Sequence, residues 1–92
     1  MLNSSEMAIL VALKRLGKRD GIFPPIMLTL KNQFEDMEYN VFFQHVMSLQ
    51  DKGYLKVASG KARGLFISKE GFALAEALEQ EHIPMARLVT LV

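Results

Sequence analysis

Leu49-Gln50-Asp51-Lys52-Gly53-Tyr54-Leu55 passes from one periodicity to another within seven residues. Upstream of Gly53, Phe42, Val46 and Leu49 recur at i, i+4 and i+7, the inward stripe of a helix expected from about Glu38 to Lys52. Downstream, Tyr54, Lys56 and Ala58 alternate with Leu55 and Val57, which is the period of a strand. Gly53 permits the sharp reversal between the two, which a residue with a Cβ would resist. Ser59-Gly60-Lys61-Ala62-Arg63-Gly64 reads as a turn and Leu65-Phe66-Ile67 as a second strand, so the two strands are expected to pair as a hairpin. In Leu65-Phe66-Ile67-Ser68-Lys69-Glu70-Gly71 the strand gives way to a helix, with Ser68 as its cap and Gly71 allowing close packing in its first turn. That helix is expected from Lys69 to about Gln80. Phe72, Ala75, Leu78 and Glu79 recur at helical spacing within it, and His82-Ile83-Pro84 is expected to stop it.

The N-terminal third supplies two further helices. Asn3-Ser4-Ser5-Glu6 reads as a helix start, with small polar caps and an acid near the positive helix end. The helix continues from Met7 to Leu16, with Gly17 expected to close it. It is apolar nearly all round, as suits a helix central to a core or shared with a second subunit. Lys18-Arg19-Asp20-Gly21 reads as a turn and Ile22-Phe23 as a short extended piece. Pro24-Pro25 is expected to open a second helix carrying Ile26, Leu28, Leu30 and Phe34. Glu35-Asp36-Met37-Glu38 is a short acidic turn. The expected core is Ala8, Val11, Leu28, Phe42, Val46, Leu49, Leu55, Ile67, Phe72, Ala75 and Leu78. A single domain over 1–92 is expected, with an apolar C-terminal tail over 81–92.

Composition narrows the function classes. Of 92 residues, 50% are apolar, enough for one core, and no cysteine is present for disulfides or thiolate metal sites. Met1 to Glu6 lacks the basic start of a signal peptide, and no apolar run approaches the roughly 18 residues of a membrane span, so a cytoplasmic, non-membrane protein is expected. The net charge of +1 leaves any electrostatic function to the distribution of charge. His45 and His82 lie far apart without a ligand neighbour at metal-binding spacing, and no phosphate-binding glycine loop, nucleophile elbow or paired-carboxylate motif occurs. The expectation is a protein without enzymatic activity, metal or cofactor.

The order helix, short strand, helix, helix, hairpin, helix resembles the winged helix-turn-helix regulators of bacteria, archaea and phages. Leu49-Gln50-Asp51-Lys52-Gly53-Tyr54-Leu55 is similar to the junction where their recognition helix passes into the wing. Leu65-Phe66-Ile67-Ser68-Lys69-Glu70-Gly71 is similar to the exit from the wing into the last helix. The stretch between, Lys56 to Leu65, has a normal wing length, and the resemblance covers roughly residues 5 to 80. It implies an α+β winged-helix fold: a three-helix core, a two-stranded β-hairpin wing and a C-terminal helix. It also implies a transcriptional regulator that binds double-stranded DNA as a homodimer, with helix 38–52 in the major groove and wing 59–64 on the backbone.

Carried over residue by residue, this places Tyr39, Asn40, Phe43, Gln44, Met47 and Ser48 on the outward face of the third helix. Asn40 and Gln44 are suited to read bases, chiefly adenine; Tyr39, Ser48, Lys61 and Arg63 are suited to phosphates, and Lys31 could add a backbone contact. Against this, the helix has no Arg or Lys before Lys52, and Glu35, Asp36 and Glu38 sit at its entrance. The densest basic cluster, Lys14, Arg15, Lys18 and Arg19, lies instead at the end of the first helix, where it also complements the helix dipole. Phe43 and Met47 are either an exposed apolar pair for a base or a protein partner, or, with a small rotation of the helix, part of the core. The alternative function is therefore a protein-interaction or assembly module that does not bind DNA. Met7, Leu10, Met85, Leu88 and Val89 are the expected dimer interface, because the first helix and the tail offer more apolar surface than a small monomer covers.

Overall fold

The computed structural model describes residues 2–20, 25–60 and 63–91, with side chains described up to 17 in the first helix and up to 80 in the last. Four helices and a two-stranded antiparallel sheet form a small α+β fold: α1 (Ser4–Asp20), α2 (Met27–Lys31), α3 (Tyr39–Asp51), β1 (Leu55–Val57), β2 (Leu65–Ile67) and α4 (Lys69–Leu91). Leu55 pairs with Ile67 and Val57 with Leu65, which puts these four on the inner face of the hairpin and leaves Lys56 and Phe66 on the exposed one. Extended backbone at Pro25 and Ile26 flanks β2 on its other edge. The Leu65 N–H donates to the Pro25 carbonyl at 2.8 Å and the Met27 N–H to the Arg63 carbonyl at 3.2 Å.

One core sits between α1, α3, the hairpin and the first half of α4. The inward stripe expected for α3 is present, with Phe42, Val46 and Leu49 fully buried. Leu55, Ala75 and Leu78 are buried as expected, and Val11 and Ile67 are half-buried against them. The core also contains Ile9, Leu10, Leu13, Leu16, Met27, Leu30 and Leu65. Three expected members are not in it. Ala8 is exposed because the buried stripe of α1 is Glu6, Ile9, Leu10, Leu13 and Leu16. Leu28 is 60% exposed because the five-residue α2 turns Met27 and Leu30 inward. Phe72 is exposed because Gly71, Ala75 and Leu78 face the core; its ring instead receives the Lys14 ammonium, 4.9 Å from the centroid.

Several boundaries differ from the sequence reading. The first helix runs through Gly17 to Asp20, so Lys18, Arg19 and Asp20 continue a helix that was expected to give way to a turn; nothing in the structure requires a left-handed residue at Gly17. The expected strand Ile22-Phe23 and residues Gly21 and Pro24 lie outside the described residues. Pro25 does not open the second helix: it is extended, lends its carbonyl to Leu65, and Ile26 caps a helix that begins at Met27. Pro84 does not stop α4, which continues to Leu91. A proline removes one ladder hydrogen bond, but Met85-Ala86-Arg87-Leu88 after it are strong helix formers and carry the helix on. The expected tail over 81–92 is, as far as Leu91, the distal half of α4.

The base of the hairpin is fixed by side chains from both neighbouring helices. Gly53 adopts the expected left-handed conformation, with φ 85°. The Val57 N–H donates to Gln50 Oε1 at 2.7 Å, which ties β1 to the last turn of α3. Ser68 caps α4, accepting the Gly71 N–H at 3.0 Å, while its hydroxyl donates to the Gly53 carbonyl at 2.7 Å. The direction of the hairpin relative to α3 is thus set at its root.

Candidate nucleic-acid interface

The exposed face of α3 carries Tyr39, Asn40, Val41 and Gln44, all near its N-terminal end. Phe43 lies beside Phe42 on the helix surface and packs against the edge of the core, so it is half-buried, and Met47 is half-buried too. Of the two alternatives for Phe43 and Met47, a bare exposed pair is therefore absent, and Phe43 takes the other, packed against the core. Tyr39 stacks on Phe43, with centroids 6.2 Å apart and planes inclined by 13°. From the hairpin, the Arg63 guanidinium lies 5.4 Å from the Phe43 centroid, and its Nη1 donates to the Tyr39 hydroxyl in a long 3.5 Å hydrogen bond. Tyr39, Phe43 and Arg63 thus form one cluster where the tip of the hairpin meets the start of α3. Lys61 lies outside the described residues. Val41, 41% exposed on the same helix, escaped the sequence reading because a β-branched apolar residue gives no signal of solvent exposure.

Ser48 is not available to a phosphate. Its hydroxyl donates to Glu6 Oε2 at 2.6 Å, and the Lys52 ammonium donates to the same carboxylate at 3.0 and 3.3 Å. Glu6 is 2% exposed and belongs to a reciprocal cap: the Asn3 N–H donates to Glu6 Oε1 at 3.0 Å and the Glu6 N–H to Asn3 Oδ1 at 2.8 Å. Burial raises the carboxyl pKa, but the hydrogen bonds from Ser48, the Asn3 backbone and Lys52 outweigh it and hold Glu6 at about 2. The start of α1 is thereby pinned to the last turn of α3. Asn3 and Glu6 stand at the spacing of a capping box, a signal present in the sequence; the link to Ser48 and Lys52, over forty residues away, was not.

The basic residues divide between two sides of the fold. Lys14 and Arg15 both bind Glu79, at 2.7 and 3.0 Å, which ties α1 to α4 and makes this part of the cluster an internal ion pair. The Lys14 hydrogen bond holds the Glu79 carboxyl below its ordinary range against the effect of burial, with Arg15 adding to it. Lys31 donates to the Phe34 carbonyl at 3.1 Å, in the turn before α3. Arg63, Lys56 and Lys69 are exposed, as are Glu35, Asp36 and Glu38 at the α3 entrance and Asn40 and Gln44 on its face. His45 is half-buried, and among the described residues no three His, Asp or Glu side chains converge as a metal site would need.

A cleft of about 560 Å³ runs along α1, lined by Met7, Ala8, Val11, Ala12, Leu16 and Leu78 together with the polar Arg15, Gln33 and Glu79. Met7 is half-buried there, whereas Leu10 is fully buried in its own chain's core and drops out of the expected interface. The side chains of Met85, Leu88 and Val89 lie outside the described residues. No helix among the described residues is long and apolar enough to cross a membrane. No protein-family model matches this chain, and no curated protein matches it.

Proposed function

We propose that this chain is a cytoplasmic winged-helix DNA-binding domain that regulates transcription and works without cofactor or catalysis. In this reading α3 is the recognition helix and the β1–β2 hairpin the wing. The observation that carries it is the meeting of Arg63 with Tyr39 and Phe43. This meeting brings a wing cation to the same end of α3 that exposes Asn40 and Gln44, so backbone and base contacts lie on one continuous surface. Asn40 and Gln44 read base edges in the major groove; Arg63 and Tyr39 hold the backbone. Without a bare Phe43/Met47 pair, one of the two supports of the rival reading, a protein-assembly module, is missing. The exposed acids Glu35, Asp36 and Glu38 remain in that rival's favour.

Variants separate the two kinds of contact. Arg63→Ala should weaken binding to all DNA sequences alike and lower the slope of log K against log salt by about 0.9, the value of one lost phosphate contact. Gln44→Ala should leave that slope unchanged and lessen the difference between a selected site and random DNA, by about tenfold for a contact of 1–3 kcal/mol. Wild-type-like binding by both variants removes α3 and the wing from the interface.

The second part of the proposal is a homodimer. At about 1.5 Å per residue, the 23-residue α4 is about 34 Å long, longer than the 27 Å short dimensions of the molecule. Met85, Leu88 and Val89 recur at i, i+3 and i+4 in its distal half. Two copies related by a two-fold axis place each distal half on the other's α1 cleft, repeating one contact twice. Sedimentation of the full chain should show a dimer at tens of micromolar, and removal of residues 84–92 should leave a monomer. A full chain that sediments as a monomer refutes the dimer.

A further inference from the structure

We infer that Arg63, Tyr39 and Phe43 act as one phosphate clamp, in which Arg63 and Tyr39 grip a single phosphodiester and Phe43 is a positioning residue that never touches the nucleic acid. The inference rests on the DNA-binding reading and gives Phe43 a different role from that of a base contact.

Three observations bear on it. The Phe43 ring is half-buried and contacted by both Tyr39 and the Arg63 guanidinium, which also touch each other, so it cannot reach a base without dismantling the cluster. A guanidinium held near a ring leaves its edge N–H groups to point outward; Arg63 is exposed, and among the described residues only its Nη1 makes a hydrogen bond, at 3.5 Å. Those edge donors suit two oxygens of one phosphate, and the Tyr39 hydroxyl, close to Nη1, can donate to the same group.

The backbone at Arg63 points the same way. Arg63 has φ 49°, the only non-glycine residue in the left-handed region among the described residues, although it is followed by Gly64 in the chain. A side chain bearing a Cβ is strained there, and such strain marks positions held for a purpose other than stability. Its carbonyl accepts the Met27 N–H at 3.2 Å, so the backbone is held while the side chain lies over Phe43. The side chain is thus ordered before any ligand arrives, which lowers the entropic cost of gripping one.

The test is a double-mutant cycle on binding to a short mixed-sequence DNA duplex, measured across a range of salt. Arg63→Ala, Phe43→Leu and the double variant are compared with the full-length wild type. The clamp predicts that Phe43→Leu, although it keeps an apolar side chain, weakens binding several-fold and lowers the salt slope. It also predicts that Arg63→Ala costs much less in the Phe43→Leu background than in the wild type. Additive losses, or weaker binding with an unchanged salt slope, overturn it. Tyr39→Phe keeps the stacked ring and removes only the hydroxyl at an exposed position. It should also couple to Arg63→Ala, which keeps the cycle decisive if Phe43→Leu unfolds. A wild type that does not bind the duplex overturns the DNA reading and the clamp with it. Binding without coupling overturns the clamp alone.

Discussion

Gly71→Ala should destabilise the protein more than a methyl added at Gly17, Gly53 or Gly60. A Cβ at Gly71 would stand 1.9 Å from the Tyr54 carbonyl oxygen and 2.9 Å from its carbon. Both are backbone atoms at the root of the hairpin, and the Tyr54 carbonyl already accepts the Ser68 N–H at 3.0 Å, so it cannot turn aside. The first turn of α4 has to move away from the sheet, at a cost of roughly 3 kcal/mol or more. For a domain of this size that lowers Tm by about 15 °C or more. Gly17→Ala supplies the control with the opposite sign. Gly17 is helical, and nothing lies within 4 Å of an added Cβ, so alanine should stabilise by about 0.5–1 kcal/mol. Thermal unfolding of the two variants checks both. Equal Tm values would mean that α4 does not pack on Tyr54 as described.

Glu6 makes stability depend on acid. Its folded pKa of about 2 lies below the ordinary value of 4.5, so the unfolded chain binds the proton more tightly. The carboxylate therefore contributes its full stabilisation above pH 4.5, and that contribution declines as the pH falls towards 2. At about 1.4 kcal/mol for each pH unit of difference, the amount lost is about 3 kcal/mol. Urea unfolding between neutral pH and pH 2 should show this decline in the wild type. Glu6→Gln should be less stable at neutral pH, where Lys52 and Ser48 lose their charged partner, and should be flatter in acid. Parallel pH profiles for the two proteins would show that Glu6 does not hold the start of α1 to α3.

The sequence made α3 legible because that helix is amphipathic: Phe42, Val46 and Leu49 are separated from Asn40 and Gln44 by about half a turn, so one register alone buries the apolar set. The hairpin was legible because Gly53 and Ser68 bracket two alternating runs. The register of α1 was not, since a helix apolar nearly all round offers several equivalent stripes. Only contact with the other elements selects Ile9, Leu10, Leu13 and Leu16 over Ala8. Pro84 misled because a proline signals a break locally, whereas the strong helix formers Met85, Ala86, Arg87 and Leu88 after it carry the helix on. In the candidate interface, exposure of Tyr39, Asn40 and Gln44 followed from periodicity. The meeting of Phe43 with Arg63, twenty residues on, depends on how the hairpin folds back over α3, which no local pattern encodes.

The claim that α3 and the wing form a DNA-binding face is tested most directly by the salt dependence of wild-type binding to a mixed-sequence duplex. Arg63, Lys56 and Lys69 are exposed, and the sequence adds Lys61 between the two strands, outside the described residues. Three to four phosphate contacts correspond to a slope of log K against log salt of roughly −3 to −4. A slope in that range, reduced by about one in Arg63→Ala, is the predicted result. No retention on the duplex at low salt, or a slope near zero, would contradict it and leave the acidic entrance at Glu35, Asp36 and Glu38 as the contact for a protein partner.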